Sequence, residues 1–423
     1  MMDNIRSVKG TKDLLPHDTI HWREVENIIH QFMAVHGYGE IRTPVFEDTK
    51  LFHRGIGKDT DIVSKEMYSW TDQGGDNLTL RPELTAPVVR AYIQHQMGTL
   101  RPLNRLYYID SLFRRERPQK GRQREFHQFG IEAIGSPHPE QDAEVITMAY
   151  KIYETFGIKG LSVKINSIGS AEIREPYLAT LRDALNSVKS ALCNTCQNRI
   201  DKNALRLFDC KNPACQEILD KNAPFIFDHI TDNDRSHFGR VTAILDEMGI
   251  PYDHDRKLVR GLDYYTHTTF EITSSTLGAQ DALCGGGRYD KLVEELGGKS
   301  TPAVGFAAGM ERLFIAFGDD GEHEHSLADI YFLTLGEKAT QKGFVLAEEI
   351  REKHGVSVVS ETLQRSMKAQ MREANRLGVQ FVVILGDNEL EKGIAVVKNM
   401  DSSEQEEIPL DKLSDHFMVD GQE

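Results

Sequence analysis

The sequence lacks any long hydrophobic run. Among its 423 residues, no stretch approaches the roughly 18 consecutive apolar residues that a membrane-spanning helix needs. Residues 1–6 do not contain the apolar segment of a signal peptide either. We therefore expect a cytoplasmic protein with no membrane partner.

Cysteine and positive charge are also scarce. Without an export signal, five cysteines in a chain of this length are expected to be free thiols or metal ligands rather than disulfides. The 65 acidic residues outnumber the 50 basic ones, so the formal net charge is −15. This balance argues against a protein that coats nucleic acid through bulk positive charge, although a local basic surface is compatible with it.

The composition that is present, 39% hydrophobic and 27% charged, is typical of a globular protein, and the length predicts two or three domains. We assign residues 1–325 to a first domain and residues 326–423 to a second, with the acidic run 319–326 as a linker. Residues from about 170 to 255 are mostly helical and hold four of the cysteines, so we interpret them as an insertion in the first domain.

In the first domain, strand-like residues 106–109 and 126–131 flank a polar stretch and predict a long hairpin. Its loop, residues 114–124, holds six basic residues against one acid. Because arginine binds phosphate oxygens through two parallel hydrogen bonds, nucleotides and nucleic-acid backbones are both candidate ligands. A solvated polar loop is the alternative.

Glycines mark two later segments. Gly285, Gly286 and Gly287 precede Arg288, and absent side chains let a flat ligand approach the backbone. Residues 305–313 lead into an apolar helix with Arg312 near its first turns, where an ion pair with a surface acid is the alternative role.

The second domain alternates strand-like segments with helical ones, which predicts a small parallel or mixed α/β sheet. The segments, in chain order, are strand 330–335, helix 339–353, strand 356–359, helix 363–377 and strand 381–385.

Three segments in order resemble the signature motifs of class II aminoacyl-tRNA synthetases: residues 37–46 with Pro44, residues 113–132, and residues 305–313. The resemblance implies an antiparallel sheet flanked by helices that binds ATP with Mg²⁺. It also implies a homodimer with Pro44 at the subunit interface.

Residues 80–85 and 258–266 closely resemble histidyl-tRNA synthetases, and this resemblance covers nearly the whole chain. It implies that L-histidine is activated with ATP to histidyl-adenylate plus pyrophosphate and then transferred to the 3′ end of tRNA(His). The second domain resembles the α/β anticodon-binding domain of the group. Its expected phosphate-facing residues, on one helical face, are Arg365, Lys368, Arg372 and Arg376.

The resemblance assigns roles to individual residues. The expected catalytic residues are Arg114 and Arg260, which face the α-phosphate from opposite sides, and Arg312. The expected ATP-binding residues are Arg114, Glu116, Arg122, Phe126 and Arg312. The expected histidine-binding residues are Glu83, Thr85, Gln128, Glu132, Tyr264, Tyr265, Gly285 and Gly287.

Within the histidine-binding set, Glu83, Thr85 and Gln128 are expected to hold the α-ammonium group. Glu132 and Tyr265 are expected to form hydrogen bonds with the two imidazole nitrogens. A pocket with such groups penalises amino acids that leave them unpaired.

Cys193-x2-Cys196 and Cys210-x4-Cys215, thirteen residues apart, have a spacing near that of a zinc ribbon. Reduced structural cysteines need no ligand, and a metal is not a general feature of the family. Zn²⁺ at these residues is therefore left open, and no metal ligand is assigned.

The main alternative function is that of a catalytically silent relative, the histidine-sensing regulatory subunit of ATP phosphoribosyltransferase. That relative generally lacks the second domain and has lost the arginines, whereas Arg114, Arg260 and Arg312 are all present here. The enzymatic interpretation is favoured for this reason.

Overall fold

The chain divides into two compact units in this computed structural model. One comprises Met1–Asp13 and Glu24–Asp320, and the other comprises Leu14–Arg23 and Gly321–Glu423. The structure describes residues 4–57, 60–119, 121–275, 282–318, 326 and 328–417. Apart from Ser326, the predicted linker lies outside the described residues, as does Lys120 of the basic loop.

Strands and helices are both numbered in chain order. The strands are β1 Gly39–Glu40, β2 Phe46–Asp48, β3 Ser69–Thr71, β4 Asn77–Leu80, β5 Asn104–Phe113, β6 Glu125–Ile134, β7 Leu161–Ser167, β8 Tyr252–His254, β9 Thr266–Ser274, β10 Ala282–Arg288, β11 Ala303–Gly309, β12 Ile330–Thr334, β13 Val358–Ser360, β14 Phe381–Leu385, β15 Ile394–Asn399 and β16 Gln405–Pro409. The α-helices are α1 Pro16–Val35, α2 Thr49–Gly55, α3 Thr85–Gln94, α4 Met97–Leu100, α5 Pro139–Thr155, α6 Ala171–Asn186, α7 Asn194–Lys202, α8 Pro213–Asn222, α9 Asp232–Glu247, α10 Leu292–Glu295, α11 Met310–Ala316, α12 Glu337–His354, α13 Met367–Leu377, α14 Asp387–Lys392 and α15 Leu413–His416.

An eight-stranded sheet in the order β1-β5-β6-β11-β10-β9-β7-β8 forms the centre of the first unit. The predicted hairpin is confirmed as β5 and β6, which pair antiparallel along their full length. The short strand β1, which precedes Pro44, lies at the sheet edge and pairs parallel with β5. Neighbouring strands in the run β6-β11-β10-β9 are antiparallel, and their register places Glu132, Gly305 and Gly287 side by side on one face.

The predicted insertion is confirmed as mostly helical, with α6 to α9 between β7 and β8. Its apolar side chains, including Leu181, Leu207 and Leu219, are buried together with residues of α3 and β5. The insertion therefore shares the hydrophobic core of the first unit's sheet rather than forming a separate one.

The second unit contains a mixed five-stranded sheet in the order β13-β12-β14-β15-β16, which confirms the predicted fold class of this part. Consecutive residues of β12 point into two different hydrophobic cores. Phe332 packs with Ala347 of α12, and Leu333 packs with Ala374 of α13. Helix α13 begins at Met367, later than predicted, so placing Arg365 on its face was wrong. Arg365 precedes the helix, and its guanidinium forms an ion pair with the Glu361 carboxylate at 2.8 Å.

None of the five cysteines forms a disulfide. Within the residues that the structure describes, no helix combines the length and the apolar character needed to cross a membrane.

Candidate active site

Two adjoining cavities open on the glycine-bearing face of the first unit's sheet. The larger measures about 970 Å³ and the smaller about 420 Å³. The residues that line both are Arg114, Glu116, Arg122, Gln128, Arg260, Gly285 and Ala307. Two of the three arginines expected to be catalytic therefore stand where the cavities meet.

Arginines and an aromatic ring characterise the larger cavity. Arg312, in the first turn of α11, donates from Nη1 to the carbonyl oxygen of Ala282 at 2.5 Å. Arg122 pairs with Glu116 at 3.4 Å across the hairpin loop. All of the expected ATP-binding residues line this cavity, including Phe126.

Arg114 directly follows β5 and is fixed from two sides. Its Nε donates to the carbonyl oxygen of Pro82 at 2.8 Å, and its guanidinium carbon lies 5.1 Å from the centre of the Phe126 ring. Burial lowers the pKa of Arg114, but arginine remains charged in proteins. The result is a pre-positioned positive charge between the two cavities.

Arg260 lies flat against Gly285 of β10. A Cβ atom at Gly285 would collide with the Arg260 guanidinium, so only glycine admits this position. The guanidinium forms an ion pair with Glu271, which is the register partner of Gly285 on β9. The sheet and its glycine thus fix where the second positive charge lies.

Glu132 is the central polar group of the smaller cavity. Its carboxylate accepts hydrogen bonds from Thr85 Oγ1 at 2.7 Å, from Tyr108 Oη at 3.2 Å and from the hydroxyl of Tyr289. Gly305 lies opposite in register, and a Cβ there would overlap the carboxylate. Burial outweighs the three donors and raises the pKa of Glu132 to about 8.

Glu83 is a second buried carboxyl group in this cavity. It accepts backbone N–H bonds from Thr85 at 2.8 Å and Ala86 at 2.9 Å at the start of α3. Burial raises the pKa of Glu83 to about 6, against the opposing effect of these two bonds.

Tyrosines complete the wall of the smaller cavity. The rings of Tyr264 and Tyr265 are 4.7 Å apart, and Tyr264 meets Tyr289 edge-on at 5.5 Å. The structure thus brings seven of the eight expected histidine-binding residues around the smaller cavity. Gly287 does not line either cavity; it lies beneath the Tyr265 ring, where a Cβ would collide with that ring.

Sequence reasoning missed Tyr108, Tyr289, Gly305 and Glu271. Period-two alternation from Gly285 would have placed Tyr289 on the cavity face. The other three follow from strand pairing between distant segments, which leaves no local signal in the sequence.

Arg288, at the end of β10, has a structural role. Its guanidinium and the Asp142 carboxylate of α5 are both 0% exposed and form an ion pair with two hydrogen-bonding nitrogens. Further hydrogen bonds reach the carbonyl oxygens of Ser136 at 2.8 Å and His138 at 3.3 Å. Arg288 therefore ties the sheet to α5 and lines neither cavity.

Comparisons with known proteins agree along the whole chain. A family model described as histidyl-tRNA synthetase matches residues 10–313, and one described as an anticodon binding domain matches residues 329–418. The histidine–tRNA ligase of Clostridioides difficile strain 630 is 45% identical over 412 residues, which are 96% of this chain and 97% of that protein. That of Halothermothrix orenii is 47% identical over 413 residues, 97% of this chain and 98% of that protein.

Solved structures give the same result. The crystal structure of apo S. aureus histidyl-tRNA synthetase superposes with a TM-score of 0.81 at 39% identity, covering 98% of this chain and all of that one. A Bacillus halodurans structure described as an ATP phosphoribosyltransferase regulatory subunit/histidyl-tRNA synthetase shares the fold at 22% identity, with a TM-score of 0.65 over 91% of this chain and 99% of that one. The chain belongs to the histidyl-tRNA synthetase family.

Proposed function

We propose that the chain is a histidine–tRNA ligase, which activates L-histidine with ATP and transfers it to the 3′ end of tRNA(His). The observation that carries this proposal is the junction of the two cavities at Arg114 and Arg260. An arginine-lined cavity suits a triphosphate, and a smaller cavity with buried carboxyl groups suits an amino acid with a polar side chain. The reacting carboxylate and α-phosphate would then meet between the two arginines.

Histidine binds in the smaller cavity. Glu83 and Gln128 hold its α-ammonium group, together with the hydroxyl of Thr85. Glu132 accepts an imidazole N–H, and Tyr265 forms a hydrogen bond with the other ring nitrogen. Tyr108 and Tyr289 position the Glu132 carboxylate through their hydroxyl groups.

ATP binds in the larger cavity with Phe126 and Arg312 on the adenine side. Arg114 and Arg260 hold the α-phosphate while the histidine carboxylate attacks it in line and pyrophosphate leaves. Fixed positive charge stabilises the negative charge that develops there. When bound with ATP, Mg²⁺ neutralises charge on the outer phosphates. Glu116 and Glu271 line this cavity and offer the carboxylate oxygens that Mg²⁺ prefers.

Exposed basic side chains of α13 contact the tRNA. Lys368 and Arg372 are exposed and lie one turn apart. Arg376 lies on the same face but pairs with Glu373 at 2.5 Å, so its charge is partly neutralised. Lys368 and Arg372 are therefore the main phosphate contacts of this helix.

The chain forms a homodimer through the face around Pro44. Three large apolar side chains on this face are exposed: Val45, Phe46 and Trp70. The Phe46 and Trp70 rings lie 6.1 Å apart and form an apolar patch of the kind that mediates subunit contacts. A second subunit that covers this patch would remove these apolar side chains from contact with water.

ATP–pyrophosphate exchange, measured with each of the twenty amino acids, tests the activity. We expect exchange with histidine and a rate about 10⁴-fold lower with the others, because a pocket built for hydrogen bonds rejects ligands that leave its groups unpaired. Histidine binding without any exchange would instead support the regulatory alternative. Exchange with a different amino acid would contradict the assignment of the pocket.

Histidine affinity is expected to depend on the ionisation of Glu132. Since the pKa of this carboxyl group is raised to about 8, its proton-free form, which accepts the imidazole N–H, becomes more populated as the pH rises from 7 to 8. The affinity should increase about fivefold over this interval, because the ionised fraction increases by that factor. Titration calorimetry of histidine binding measures the change.

The Glu132→Gln variant is the control for titration of histidine itself. It should bind more weakly and lose the increase between pH 7 and pH 8. An equal increase in both proteins would show that Glu132 does not titrate in this range.

A further inference from the structure

The four cysteines of the insertion converge on one point. The sulfur atoms of Cys193, Cys196, Cys210 and Cys215 all lie within 4.8 Å of one another, and those of Cys193 and Cys210 are 4.0 Å apart. Four sulfurs around a tetrahedral zinc ion, each at about 2.3 Å from it, are about 3.8 Å from one another. We propose that these cysteines form a structural zinc site.

Two helix starts carry the cluster. Cys193 is the N-cap of α7 and Cys196 lies in its first turn, while Cys215 lies in the first turn of α8, with Cys210 just before it. Both helices therefore direct the positive ends of their dipoles towards the sulfurs, which stabilises thiolates.

Backbone N–H groups also point at the sulfurs. The N–H of Cys193 donates to Sγ of Cys215 at 3.2 Å, and that of Asn212 donates to Sγ of Cys210 at 3.5 Å. Such bonds orient thiolate ligands and offset the negative charge that four of them bring to one ion.

The ligand set decides which metal fits and what it does. Four sulfur ligands in tetrahedral arrangement suit zinc or an iron centre, and a single ion matches a cluster in which every sulfur lies within 4.8 Å of the others. Because the protein supplies all four ligands, no position remains open for substrate or water, so the ion is structural.

The proposed zinc site supports one wall of the larger cavity. That wall includes Phe208, Asp209, Cys210 and Lys211, all within or beside the second cysteine pair. Gln216, in the helix that starts at this pair, donates to the carbonyl oxygens of Cys210 at 2.7 Å and Phe208 at 3.2 Å.

Helices as short as α7 and α8 need stabilisation from the surrounding structure. Helices α7 and α8 have 9 and 10 residues, which is fewer than the roughly 12–15 that an isolated helix needs for marginal stability. Zinc joins their starts and thereby fixes the loop that faces the nucleotide.

Metal analysis of the full-length protein, purified without chelators, tests the site. We expect one zinc per chain by inductively coupled plasma mass spectrometry. The Cys196→Ser variant should lose at least half of that zinc, whereas Cys284→Ser, which changes the one cysteine outside the cluster, should retain it. Protein reconstituted with Co²⁺ should show the charge-transfer absorption of tetrahedral thiolate coordination.

A second measurement on the unmodified protein keeps the test valid if Cys196→Ser does not fold. Zinc released by an organomercurial is followed with a colorimetric chelator, and trypsin cleavage within residues 189–222 should accelerate as the zinc leaves. Five freely titrating thiols without metal, a mass decrease from disulfide formation, or iron in place of zinc would each overturn the proposal. Exchange activity is measured separately, so failure of the zinc site and failure of the ligase assignment remain distinguishable.

Discussion

Replacing Arg260 by alanine is expected to lower the rate of histidine-dependent ATP–pyrophosphate exchange by about 10³-fold or more while the protein stays folded. The guanidinium stands at the junction of the two cavities, where the histidine carboxylate and the α-phosphate would meet. Its charge stabilises the additional negative charge of the transition state, which an alanine side chain cannot do. The rate measured at saturating histidine and ATP isolates this effect from ground-state binding.

Arg240→Ala is the matched control, since Arg240 is an exposed arginine that pairs with Glu140 away from both cavities. This variant should keep the exchange rate of the parent protein. Arg260→Lys should recover only part of the lost activity, because an ammonium group cannot form two parallel hydrogen bonds to phosphate. An unchanged rate in a correctly folded Arg260→Ala protein would contradict the assigned role.

Arg288→Met is expected to reduce the free energy of unfolding by about 3–5 kcal/mol, because it leaves the fully buried Asp142 carboxylate without its main partner. Urea unfolding, followed by circular dichroism, measures the loss. The double variant Arg288→Met/Asp142→Leu should recover most of the stability, since it removes both charges. Equal losses in the single and double variants would show that the ion pair is not the cause.

The same pair predicts a pH dependence. Burial raises the pKa of Asp142, but the charge of Arg288 and the hydrogen bond with His237 together outweigh burial, and the pKa falls to about 2. A carboxyl group with a lowered pKa stabilises the fold above its unfolded value of about 3.9, and this contribution disappears as the pH falls through 2. The Arg288→Met protein should lose most of this contribution, since only His237 remains beside Asp142, and should unfold at a higher pH during acid titration.

The sequence predicted those parts of the fold and site that have a local pattern. The hairpin of β5 and β6 followed from two strand-like segments around a polar loop, and Arg114 was found in that loop. Strand β16 was missed because its residues are mostly exposed and include Glu406 and Pro409, so its pattern shows no apolar alternation.

The environment of Glu132 could not be predicted from local sequence patterns. Thr85 reaches it from another element, and Gly305 faces it only because β11 pairs with β6 in one particular register. For the cysteines, spacing alone left zinc and unliganded thiols as alternatives. Their convergence depends on how two short helices pack, which spacing does not determine.

Gly305 limits which sequence changes this pocket can tolerate. Any other residue would push a carbon atom into the space that the Glu132 carboxylate fills, so the carboxylate would have to leave its three hydroxyl donors. A shift in amino-acid preference during evolution therefore cannot begin by drift at position 305; it has to begin at Glu132 or at the side chains that surround it. The absence of a Cβ atom at position 305 therefore preserves the substrate preference as much as the side chains that contact the ligand do.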